Sequence, residues 1–157
     1  MKRFNWFLML MTAFTLSFVA CNDPEDDGKT PTPDNPTPEG LTFKVEVGEV
    51  TSSSVSYTVT PSDLEAEYLC VLYDAETVEE FTRDEFLVQT LYQELETEAR
   101  SKGKTLVEYM PEVVDKGVIT DGKFSNLYPE SKYYIIVFGV DAAKGYAANT
   151  AVSKTEV

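Results

Sequence analysis

This sequence predicts a mainly β protein: an antiparallel β-sandwich with an α-helical insertion between its central strands. Three observations lead there. Apolar and polar residues alternate just after residue 41, two later runs are apolar without interruption, and a stripe between those runs recurs at helical spacing. The 157 residues divide into 1–20, 21–40 and 41–157, and the insertion occupies about 75–120.

The strands come first. Phe43, Val45 and Val47 alternate with Thr42, Lys44 and Glu46, the pattern of a half-buried strand. Thr51 to Ser54 is turn-rich and leads into Val55, Tyr57 and Val59, and Pro61-Ser62-Asp63 ends that run. Tyr68 to Tyr73 and Tyr133 to Val140 are continuous apolar runs, rich in β-branched and aromatic residues and too short for core helices. Asp141 to Gly145 reads as a loop, and Tyr146 to Val157 as one final strand.

The insertion reads as a helical hairpin. Thr82 and Glu85 have capping-box spacing, and Val88, Leu91, Tyr92, Leu95 and Ala99 then make one stripe. Asp84 and Glu85 open the helix, Arg100 and Lys102 close it, and Gly103 stops it. Thr105 and Glu108 repeat the capping spacing before a second helix, which Pro111 interrupts. Sheets covered on both faces produce uninterrupted apolar runs. The helix from Arg83 to Lys102 is therefore expected to lie over the strands holding Val71 and Ile136, with the carboxylates of Glu76 to Glu98 on its solvated face. The alternative is that this sheet face stays open as a partner-binding patch.

Two stretches resemble the fibronectin type III superfamily. Val55-Ser-Tyr-Thr-Val-Thr-Pro61 is similar to its second strand, with Tyr57 where the family usually has a core Trp. Leu127-Tyr-Pro-Glu-Ser-Lys-Tyr-Tyr-Ile135 resembles the entry to its sixth strand. The resemblance implies structural roles for Tyr57 and Tyr133, the latter as a "tyrosine corner" whose hydroxyl bonds the backbone a few residues upstream. The chain departs from the family in the middle, where about forty residues replace a short connection.

Composition removes several functions. With no His there is no Ser-His-Asp or Cys-His pair and no His-ligated zinc, and two Cys cannot make a four-cysteine site. A net charge of −14 argues against nucleic acid, whose binding needs Lys and Arg on phosphate. Cys70 reads as a small core residue, and no carboxylate pair stands apart as a glycosidase pair. Asp115 to Gly122 lacks the alternating oxygen ligands of a calcium loop. No metal, cofactor or enzymatic activity is expected. Lys144 and Tyr146 are the candidate ligand-binding residues, a cation and an aromatic beside a loop; the plainer reading has Tyr146 packing at the start of the last strand.

The N-terminus reads as an address. Lys2 and Arg3 precede about 17 mostly apolar residues ending at Ala20, the anatomy of a secretory signal and barely enough for a membrane span. Phe18-Val-Ala-Cys21 resembles the lipobox of bacterial lipoproteins. That resemblance implies cleavage between Ala20 and Cys21 and a covalent N-acyl diacylglycerol on Cys21, so the chain meets a membrane through its lipid. Residues 22–40 hold five of the eight prolines and no aliphatic or aromatic residue, which cannot offset the entropy of ordering, and read as an extended linker. Asp23, Glu25, Asp26 and Asp27 are similar to the surface-export signal of Bacteroidota lipoproteins. The expectation is an outer-membrane lipoprotein facing outward, or alternatively the periplasm, whose domain binds glycan or protein. A structural subunit of an envelope assembly is the other reading. Of the chain's 27 acids, six lie in the linker and 21 in residues 41–157.

Overall fold

The computed structural model describes residues 40–157, which form a mainly β fold of antiparallel sheets. The leader, Ala20, Cys21 and the acidic linker up to residue 39 lie outside the described residues. The first sheet has the order β1-β2-β5, with β1 at Phe43–Val50, β2 at Ser54–Pro61 and β5 at Ile119–Ser125. In the second, β6 (Tyr133–Asp141) is central: β3 (Glu67–Asp74) lies on one side, flanked by the short β4 (Asp115–Lys116). On its other side β7 (Ala147–Ala148) and β8 (Ser153–Glu156) follow one another.

One face of each sheet contributes to a common cluster. Val55, Tyr57 and Val59 of β2 and Ile119 and Phe124 of β5 meet Tyr68 of β3 and Ile135 and Val137 of β6. The period-2 pattern in β1 and β2 arises because every second side chain enters this cluster. Tyr57 stacks on Phe124 with ring centroids 4.6 Å apart. Its ring also lies over Gly122, where an added Cβ would stand 2.5 Å from the aromatic carbons. Any larger residue there would force the ring aside.

The opposite face of the second sheet is buried too. Helix α1 (Ala75–Glu80) starts at Asp74, whose carboxylate accepts the Thr77 N–H at 2.8 Å. The long helix α2 spans Asp84–Ser101, and its Leu87, Leu91, Leu95 and Ala99 share a cluster with Leu69, Ile136, Phe138 and Val140. Val71, Tyr73, Val88 and Tyr92 flank that cluster half-buried. Burying four or five large side chains here contributes on the order of 10 kcal/mol gross.

Several local expectations need correction. Arg83, not Thr82, occupies the N-cap of α2, and its side chain makes no capping bond. The buried stripe centres on Leu87, one residue before the expected Val88, because residues 87, 91, 95 and 98–99 follow the 3.6-residue turn more closely. The hairpin's second arm is a single turn, α3 (Leu106–Tyr109), with a complete Thr105–Glu108 capping box, and Pro111 turns it into a 3-10 segment at Met110–Glu112. The insertion is thus one substantial helix with short flanks.

The final strand is broken. β7 and β8 both pair with β6, but the pairing shifts by two residues between Val140↔Ala148 and Val137↔Ser153. Gly139 sits at the break: its N–H donates to Thr150 Oγ1 at 2.8 Å and its carbonyl accepts the Asn149 N–H at 3.0 Å. A Cβ there would stand 2.5 Å from Asn149 Oδ1 and 2.7 Å from Leu41 Cδ2. The bulge and this close approach explain a glycine in the middle of an apolar strand.

Candidate functional site

The outer face of the first sheet stays open, and it is not flat. Between Val47 and Val50 the β1–β2 register slips by one residue, and between Tyr57 and Val59 the β2–β5 register slips likewise. The two irregularities flank the same stretch of β2, residues 56–58. They open a groove of about 590 Å³ there, with Glu46 to Glu49 on one wall and Thr120 to Lys123 on the other. Bulges are a recurrent means of re-aiming side chains beside binding sites.

The groove is lined by hydroxyls and charges together with Val47, Gly48, Tyr57 and Gly122. Ser56 Oγ accepts the Glu49 N–H at 2.6 Å and donates to the Glu49 carbonyl at 3.2 Å, which ties the β1 bulge to β2. Thr120 Oγ1 donates to Asp121 Oδ2 at 3.2 Å. Lys44 pairs with Glu46 at 2.9 Å, both side chains mostly in water. No imidazole exists in the chain to activate Ser56, whose hydroxyl is already engaged with backbone. The arrangement can hydrogen-bond a polar ligand.

The sequence-predicted ligand-binding residues, Lys144 and Tyr146, fall elsewhere. Lys144 is exposed, and its Nζ lies 3.2 Å from Asp141 Oδ2, a contact that holds the Asp141 carboxyl below the usual carboxylate range. Tyr146 is half-buried against the helix-covered cluster at φ 64°, a left-handed conformation strained for a bulky residue. Its N–H donates to the Asp141 carbonyl at 2.8 Å, and its own carbonyl accepts the Tyr92 hydroxyl of α2. Those bonds hold the loop against α2. Burial pushes the Tyr92 phenol up to about 12. Tyr57 is buried, and Tyr133 is buried with its hydroxyl oxygen accepting the Tyr128 N–H at 2.9 Å. The Lys144–Tyr146 loop and Tyr133 are not among the residues that line the groove, whereas Tyr57 is.

Cys70 lies half-buried in β3 beside the inter-sheet cluster. The Asp115–Gly122 stretch is strand, turn and strand; Gly117 takes φ 72° and its carbonyl accepts the Tyr68 hydroxyl at 2.7 Å. Among the described residues no group of three or more His, Cys, Asp or Glu side chains could hold a metal ion, and no helix is long and apolar enough to cross a membrane.

One polar cluster escaped sequence reasoning. Glu98 is 4% exposed on α2, against its expected place on the solvated face. Lys102 Nζ lies 2.8 Å from its Oε1, donates to Tyr109 Oη at 3.0 Å, and stands 4.2 Å from the centroid of that ring. Glu98 first, then Tyr109, hold the Lys102 ammonium well above the usual lysine range. Glu94, on the next turn, accepts the Tyr73 hydroxyl at 2.5 Å, and burial raises both groups. These groups join α2 to α3 and β3, which makes them fasteners of the cover. No family model, curated protein or solved structure matches the chain.

Proposed function

We propose that the chain is a lipid-anchored binding module of the bacterial cell envelope, facing outward from the outer membrane, with a fibronectin type III-like sandwich as its binding domain. The observation that carries the binding role is the contrast between outer faces. α2 closes the second sheet with an apolar seal, while paired bulges leave the first sheet an open groove of mixed lining. The strand order supports the sandwich reading. In that reading β1, β2 and β5 would correspond to strands A, B and E, and β3, β6 and β7–β8 to C, F and G, with the helical insertion falling in sequence between C and E. The Tyr133 hydroxyl bond is of the kind a tyrosine corner makes.

The ligand class follows from the lining. Hydroxyls, carboxylates and the Lys123 ammonium beside Tyr57 suit a polar, uncharged partner such as a neutral glycan, and 21 acids against ten bases in residues 41–157 disfavour polyanions. Binding of the full chain to a glycan array, lost on Thr58→Trp in the groove floor, is the expected outcome. Retention of the same sugars by that variant would move the site elsewhere. The anchor is tested separately by palmitate labelling, which Cys21→Ala should abolish, and the orientation by protease shaving of intact cells. A chain that survives shaving is periplasmic.

A further inference from the structure

We propose that β1 is a self-pairing edge, through which two copies of the chain join antiparallel about a twofold axis at Val45. The inference holds whether or not the chain is anchored. Among the described residues, β1 lies at the rim of the first sheet and bonds β2 on one side only. The Ser62 N–H donates to the Thr42 carbonyl, so in this ladder the even-numbered residues of β1 face β2. The backbone N–H and C=O groups of Phe43, Val45 and Val47 therefore face outward from the sheet.

Charge selects the register. Lys44 and Glu46 stand two apart on the outer face, 70% and 57% exposed, and pair with each other at 2.9 Å. An antiparallel partner centred at Val45 sets each Lys44 opposite the other copy's Glu46. Centring on Lys44 or on Glu46 would instead oppose like charges, which is destabilising in a cross-strand pair. The inner face agrees. Phe43 and Val45 are only half-buried and Val47 is 36% exposed, so the sheet's rim leaves its own cluster partly uncovered. The same register places Phe43 against the other copy's Val47 and closes that gap.

Two other rim strands are less suited. β5 carries the Thr120–Asp121 bulge and Gly122, which interrupt a regular ladder. β8 is only four residues long, and its Lys154 and Glu156 are tied to other elements, to Asp84 and Lys132. β1 keeps five regular residues, 43–47, before its own bulge. Edge strands with free backbone groups are templates for such addition.

The test is sedimentation velocity on the full chain in detergent, with Cys21 replaced by Ala so that lipid does not cluster it. The parent chain should dimerise at micromolar to millimolar concentration. Lys44→Glu and Glu46→Lys, each exposed and folded by circular dichroism, should both be monomeric where the parent is dimeric. Mixing the two variants should restore a dimer, because their charges then complement. A monomeric parent at millimolar concentration overturns the proposal, as does a dimer indifferent to both substitutions or a mixture that stays monomeric.

Discussion

The two sheets share one core and differ in what their outer faces meet. The second sheet is built from runs such as Tyr133–Val140, apolar on both sides, and α2 seals its outer face with leucines. The first sheet alternates, and its outer side chains are Lys44, Glu46, Ser56, Thr58 and Lys123. The difference teaches that a strand's periodicity reports how many of its faces are covered, so coverage is written in the strand as much as in the helix that supplies it.

The largest effect separates the faces directly. Leu91→Asp, in the seal, should cost about 4 kcal/mol or more, because it removes a buried leucine and leaves a carboxylate in apolar surroundings. Thr60→Asp, on the exposed side of β2, should change stability by no more than about 0.5 kcal/mol. Urea denaturation measures both, and equal losses would erase the contrast. Gly122→Ala should cost about 1–3 kcal/mol by forcing the Tyr57 ring aside. Adding Tyr57→Leu should make the pair less than additive, since the clash disappears with the ring. Tyr133→Phe should cost about 1 kcal/mol by leaving the Tyr128 N–H without that acceptor.

The smallest effect is confined to high pH. The Lys102 pKa is raised in the folded chain, so its contribution is complete below the ordinary lysine value and is lost as pH climbs through the raised one. Thermal melts should therefore fall more steeply at alkaline pH in the parent than in Lys102→Met. Parallel curves would mean that the Glu98–Lys102 contact contributes nothing.

Much of the covered region was legible because its determinants are local. Leu91, Leu95 and Ala99 announce a helix face by spacing alone, and Thr105–Glu108 announces its own cap. Glu98 was not legible, since an (i, i+4) pair with Lys102 reads the same on a wet face as at a buried seam; only the position of Tyr109 distinguishes them. α1 was missed because six residues, three of them Glu, carry no stripe, and its cap, Asp74, is also the last residue of an apolar strand. The groove depends on two register slips, one in the β1–β2 hairpin and one between β2 and β5, far apart in sequence, which no single-strand pattern encodes. The same is true of the broken last strand, where Gly139 was the one local hint.

The registers carry one further consequence, for mechanics. The described chain enters beside Gly139, where Leu41 packs, and Val157 lies beside Tyr133 at the opposite end of β6, exchanging two backbone hydrogen bonds with it. A pull between those points runs along the strands. It loads the β1–β2 and β6–β8 ladders in shear, so their hydrogen bonds resist together instead of opening one by one. A domain tethered at its N-terminal side and loaded at the other would hold far greater force than the same ladders peeled from one end.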